Sequence, residues 1–225
     1  MRNSKSLTVK GFLTLLIFTG CASFEPGMRL QSLSGPRQPT AKASQEGLDV
    51  SVEEFINAEK SKAMFDTDLA SSRVLAIFVR ADNNGSERYS LQRTDFKASL
   101  NGAPLVQIAA KDAASEAATS EYVGKALGWT LATGPFAILL WPVTIGASAI
   151  HTHGVNERIE AYFQGTSYQE SFVAPKQAAW GFVYFKVGTK IEKLENFIVE
   201  AEATGSDTGK KISYKFPLPT INISK

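Results

Sequence analysis

His151 and His153 are the only imidazoles in this 225-residue chain, and Cys21 is its only thiol. Two histidines one residue apart could begin a metal site, but a closed zinc site needs about four ligands. Only carboxylates such as Glu157 could join them, so no metal is expected, and the pair reads as a polar end to the apolar run before it. Because histidine titrates near neutrality, the pair could instead make an interface pH-sensitive. A Ser/His/Asp triad would have to use one of these two residues. The chain has no Gly-x-Ser-x-Gly elbow and no Gly-x4-Gly-Lys-Ser/Thr phosphate loop. Glu53, Glu54, Asp66 and Asp68 could supply paired acids for glycoside hydrolysis, but sequence spacing does not make carboxylates converge, and they read as solvated surface. Trp180, Tyr184 and Phe185 could stack on a sugar or peptide; within a strand pattern they read as core. No catalytic residue and no cofactor is expected.

Cys21 carries a different chemistry. It closes the run Leu13-Thr14-Leu15-Leu16-Ile17-Phe18-Thr19-Gly20-Cys21, preceded by Arg2, Lys5 and Lys10. Positive charge stays on the cytoplasmic side while a short apolar segment inserts. The segment is too short for a permanent helical span, which needs roughly 20 apolar residues. Small residues at Thr19 and Gly20 let a peptidase approach the backbone. The whole resembles a bacterial lipoprotein signal ending in a lipobox, with Phe18 where that pattern usually has Leu, Val or Ile. The resemblance implies cleavage before Cys21 and acylation of its sulfur; the alternative is an ordinary secretory signal with an incidental cysteine. Ala22, rather than an aspartate, follows the cysteine, which resembles the sorting pattern for the periplasmic face of the outer membrane. Removing the three basic residues of 1–20 takes the formal charge from +2 to −1, so no basic patch argues for nucleic acid.

The remaining elements must position whatever the anchor delivers. Residues 21–46 are rich in Ser, Gly, Pro and Gln and read as a flexible tether. A domain is expected over 47–225. Leu48, Val50 and Val52 alternate with polar residues, 73–80 read as a strand covered on both faces, and Asp82-Asn83-Asn84-Gly85 and Asn101-Gly102 read as turns. Phe96, Ala98 and Leu100 alternate again. Later strands are expected at 168–173, 180–185, 197–201 and 212–216, the last stopped by Pro217 and Pro219. Seven or eight short strands with polar turns predict a mainly β fold: an antiparallel β-sandwich, immunoglobulin-like in layout.

Residues 111–164 break that pattern and read as an inserted helical hairpin, rich in Gly and Ala. Residues 126–150 contain no charged side chain. Gly128, Gly134, Pro135, Pro142 and Gly146 argue against one straight helix. Strands of one sandwich lie before and after the run, so an even number of membrane crossings, or none, is required. Bends are expected at Gly134-Pro135 and Trp141-Pro142, with Phe136 and Leu139 between them. Such a hairpin needs a cover. Lipid would suit Trp129 and Trp141 at interfacial depth. A second copy would suit the Gly124-x-x-x-Gly128 spacing and the small residues around Gly146. The third possible cover is the protein's own sandwich.

Residues 73–83, 156–163 and 181–185 resemble uncharacterised sandwich lipoproteins of Gram-negative envelopes that carry a Gly/Ala-rich helical insert. That resemblance implies no functional residues. The expectation is a lipid-anchored envelope protein with a structural, assembly or interaction role, its hairpin touching lipid or mediating self-association. The second expectation is a module binding a peptide, polysaccharide or protein on strand-end loops. An envelope hydrolase ranks last.

Overall fold

The computed structural model describes residues 38–118, 157–169, 172–189 and 191–223. The fold is mainly β. A hairpin of β1 (Ala41–Gln45) and β2 (Leu48–Glu54) leads through α1 (Ala58–Phe65) to β3 (Val74–Asn83). Then come β4 (Tyr89–Ser90), a 3-10 turn (Arg93–Asp95), β5 (Phe96–Leu100), β6 (Ala103–Pro104) and β7 (Val106–Ile108). Residues 110–118 and 157–166 are helical and are labelled α2 and α3. The chain continues through β8 (Phe172–Val173), β9 (Ala178–Lys186), β10 (Lys193–Leu194), β11 (Phe197–Gly205), β12 (Lys211–Pro217) and β13 (Ile221–Asn222).

The first large sheet has the order β1-β2-β3-β9-β7. In the second, β11 is central. β12 pairs along one of its edges, and β5 then β4 pair along the other, with β6 and β8 outermost. All pairs between these strands are antiparallel among the described residues. The two sheets face one another across a shared core. Leu48, Val50, Leu75, Ile77, Val183 and Phe185 of the first sheet belong to the same buried cluster as Phe96, Val199, Ala201, Tyr214 and Phe216 of the second.

The outer faces differ, and the sequence differs with them. In β11 and β12 the outward positions are Glu200, Glu202, Lys211, Ser213 and Lys215, all exposed. Glu200 pairs with Lys215 at 3.4 Å and Glu202 with Lys211 at 2.7 Å. This is the apolar-in, polar-out alternation of a sheet with one wet face. β3 and β9 have no such alternation. The outward Val74, Ala76, Phe78, Phe182 and Tyr184 are as buried as the inward residues, because α1, α2 and α3 cover that face.

Several expectations change. The tether was read to residue 46, but 41–45 form β1, paired with β2 from Ala41↔Val52 to Gln45↔Leu48. The turn between them is Glu46-Gly47, with φ of 50° and 80°. Gly47 is also where the chain touches a neighbour, since a Cβ there would lie 2.8 Å from Gly85 Cα. The Glu46 carbonyl accepts a 2.7 Å hydrogen bond from the Tyr89 hydroxyl, so the turn is held from the second sheet. Residues 168–173 are not one strand. Tyr168 donates its N–H to the Phe182 carbonyl in the first sheet at 2.9 Å, while Phe172 and Val173 pair with β4 in the second. The segment therefore crosses between sheets. β12 does stop at Pro217, but it is not the last strand, since β13 follows and pairs with β10. Glu53 is not solvated: it is 6 % exposed and lies 3.3 Å from the Lys60 ammonium, which also reaches Glu54 at 3.1 Å.

The crossing at Tyr168 depends on Gly181. A Cβ at Gly181 would sit 2.4 Å from Tyr168 N and 2.5 Å from its Cα, which is backbone and cannot swing aside. Gly181→Ala should therefore cost about 1–3 kcal/mol in a urea unfolding curve. Gly188→Ala, where nothing lies within 4 Å of the added carbon, should stay within about 0.5 kcal/mol of wild type. Equal stability of the two variants would contradict the close approach.

Candidate functional site

The outer face of the first sheet carries the base of the insertion. α1 is fixed there first. The Asn57 side chain accepts from Glu59 N–H at 2.8 Å and Lys60 N–H at 3.4 Å, and Asp66 ends the helix with a left-handed φ of 57°. Buried Ser61 donates to the Thr67 carbonyl at 2.8 Å and accepts from Leu69 N–H at 3.0 Å, which closes the loop back to β3. Met64 and Phe65 are thereby held against the sheet.

α3 presents Ile159 and Phe163 inward at four-residue spacing, while Glu157, Arg158, Glu160 and Ala161 face outward. The Phe163 ring lies 5.1 Å from Phe65 and 5.5 Å from Tyr184. Phe182 is the hub beneath, 4.9 Å from Phe65, 5.1 Å from Phe55 and 5.3 Å from Phe78. Edge-on and offset aromatic contacts of this kind add to the burial of apolar area. α2 meets the same cluster with Ala113, Ala114 and Ala117, small side chains that let its backbone come close. The polar groups of the cluster are few. The Tyr162 hydroxyl donates to the Met64 carbonyl at 2.7 Å. Burial pushes the Tyr162 and Tyr184 hydroxyls well above the ordinary tyrosine range; a Thr166 contact offsets part of the rise at Tyr184. Both stay neutral at any physiological pH.

Strand register shows which way these helices run. Val74 pairs with Lys186, Ala76 with Tyr184 and Phe78 with Phe182. α2 begins beyond Ile108, which pairs with Tyr184, and its Glu116 forms an ion pair with Lys186. α2 therefore points toward the Lys186 end of the sheet. α3 passes Tyr184 at Phe163 and reaches Phe182 at Ser167, so it runs away from that end, and residue 157 lies toward it. Residues 118 and 157 thus lie at the same end. β1 starts there too: the Thr40 hydroxyl accepts from Glu54 N–H at 3.3 Å, and Glu54 pairs with Ile77.

A second feature is a cleft of about 430 Å³ between the 3-10 turn and the base of the insertion. Gln92, Arg93 and Thr94 line one side, and Ala110, Ser167, Tyr168 and Gln169 the other. Sequence reading missed it, because its residues come from three distant segments and none stands in a motif. Trp180, Tyr184 and Phe185 do not form a stacking surface. Trp180 is half-buried 6.1 Å from Phe78, Tyr184 belongs to the outer cluster, and Phe185 faces the inner core. Among the described residues the large exposed hydrophobics are Val106 and Phe172. No described helix is long and apolar enough to cross a membrane, and no described group of three His, Cys, Asp or Glu could hold a metal. Cys21, Gly124, Gly128, Trp129, Gly134, Pro135, Phe136, Leu139, Trp141, Pro142, Gly146, His151 and His153 lie outside the described residues.

No family model matches the chain, and no curated protein matches it. Several solved structures are similar at low identity. A Bacillus subtilis protein described as a candidate lipoprotein (ycdA) is 10 % identical over 80 % of this chain and 39 % of its own, with a TM-score of 0.37. The chain thus spans well under half of that protein. The yjhA protein of Bacillus subtilis is 10 % identical over 80 % of this chain and 96 % of its own, with a TM-score of 0.40. A functionally unknown protein of Listeria monocytogenes EGD-e is 10 % identical over 80 % and 85 %, with a TM-score of 0.34.

Docking of α3 can be measured directly. Phe163 is fully buried, so Phe163→Ala should lower unfolding stability by about 3–5 kcal/mol. Tyr162→Phe removes the hydroxyl that donates to Met64 and should cost about 1 kcal/mol. Wild-type stability in Phe163→Ala would show that α3 is not part of the packed domain.

Proposed function

We propose that this chain is a lipid-anchored envelope protein with a non-enzymatic interaction role. It would be cleaved before Cys21, acylated there and held at the periplasmic face of the outer membrane. Its described part would be an immunoglobulin-like β-sandwich, and 111–164 an inserted hairpin whose apolar segment contacts lipid. One observation carries this reading: both ends of the insertion and the start of β1 point to the Lys186 end of the first sheet. A tether acylated at Cys21 would bring that end toward the bilayer, and the uncharged 126–150 would emerge facing the same surface. Leaving and returning on one face also requires an even number of crossings, or none. A shallow hairpin in one leaflet meets this condition. Assembly with a second copy through Gly124, Gly128 and Gly146 is the other outcome of the same exposure.

Two measurements test the reading. Labelled palmitate should mark the wild-type protein and not Cys21→Ala. In a Cys21→Ala background, some protein should still sediment with membranes, and deletion of 126–150 should release it without unfolding the domain. A freely soluble, monomeric Cys21→Ala protein whose deletion variant unfolds would instead make the run part of the core. Retained self-association after detergent extraction, lost on the deletion, would favour assembly over lipid contact.

A further inference from the structure

We propose that the cleft beside the 3-10 turn binds the terminal carboxylate of a short peptide, with Arg93 as its charged partner. The cleft has a volume of about 430 Å³ and is open to solvent. Arg93 is half-buried at its edge. It donates one hydrogen bond, from Nη1 to the Ile108 carbonyl at 3.0 Å, and has no carboxylate partner among the described residues. The Asp95 carboxylate on the same turn accepts the Gln92 N–H at 2.7 Å and forms no ion pair with Arg93. A guanidinium offers five donors in a fixed fork, so most of them remain for a ligand. A carboxylate is the group that takes such a fork in two parallel bonds.

The turn that carries Arg93 is held in place before any ligand arrives. The Gln107 amide donates to the Arg93 carbonyl at 2.7 Å and to the Phe96 carbonyl at 3.2 Å. Across the cleft, the Ser167 hydroxyl donates to the Gln164 carbonyl at 2.9 Å, and the Gln169 amide nitrogen donates to the same carbonyl. The Ser167 and Gln169 side-chain oxygens remain as acceptors, and the Gln169 amide keeps one further N–H. Gln92 and Thr94 add an exposed amide and hydroxyl. One cation facing amide and hydroxyl oxygens matches a peptide end, with its carboxylate and its backbone N–H groups. A sugar fits less well: Tyr168 is buried, and no exposed ring lines the cleft for stacking. The site lies beside the Phe182 row, away from the Lys186 end, so it does not depend on the membrane reading.

The test uses the whole protein, in detergent micelles, and two probes: N-acetyl-alanyl-alanine, and the same dipeptide with its carboxylate converted to an amide. The acid should give a saturable shift of the Arg93 side-chain N–H resonance, and the amide should bind about tenfold more weakly or less. Arg93→Lys keeps the charge but loses the fork, and should also weaken the acid about tenfold. Thr94→Val guards against a folding artefact in the arginine variant, and should weaken binding while leaving the unfolding curve unchanged. Equal binding of acid and amide, no saturable shift, or wild-type affinity in Arg93→Lys would overturn the assignment.

Discussion

Burial of one sheet on both faces governs this structure. The first sheet gives its inner face to the second sheet and its outer face to three helical segments. The middles of its central strands, residues 74–79 of β3 and 181–185 of β9, therefore carry no polar group except the Tyr184 hydroxyl. Each large side chain buried there stabilises the fold by roughly 1.5–3 kcal/mol. The outer cluster alone holds Phe55, Phe65, Phe78, Phe163, Phe182 and Tyr184. That face would be a large exposed apolar surface if α1 and the feet of α2 and α3 were absent. Residues 110–118 and 157–166 are thus part of the core.

The same packing sets direction. The feet dock antiparallel, with α2 running toward Lys186 and α3 away from it, so the chain between them leaves and returns at one end. β1 is tied at that end through Thr40 and Glu54. The second sheet contributes differently. Its outer face is wet, and its Glu–Lys pairs are exposed contacts of the kind that add little stability. The molecule is asymmetric in this sense: the centre of one sheet, β3 and β9, is buried on both faces and anchors helices, while the outer face of the other is solvated.

Much of this arrangement was legible in the chain. Alternation in 96–100, 197–201 and 212–216 marks strands with one wet face. The apolar run within 73–80 marks a strand covered twice. Asn101-Gly102 closes the β5–β6 hairpin, both residues at positive φ. The helical reading of 111–164 agrees with helix at 110–118 and 157–166. β1 was not legible. Ala41, Ala43 and Gln45 offer no large apolar side to align, and the Glu46-Gly47 turn lacks the Asn or Asp that usually signals positive φ. Tyr89 and Lys210 hold that turn from the second sheet, and no local pattern announces them.

The sequence by itself determined the strand-rich class, the doubly covered centre, the solvated outer sheet and the place where helices interrupt the strands. Each of these follows from periodicity, which local backbone geometry imposes on neighbouring residues. Only tertiary structure decided the crossing of 168–173 between sheets, the burial of Glu53 against Lys60, the common end at which β1 and the insertion point, and the cleft around Arg93. Each of these depends on residues far apart in the chain meeting at one place. Such meetings are set by register and packing across sheets, and a linear pattern does not record them.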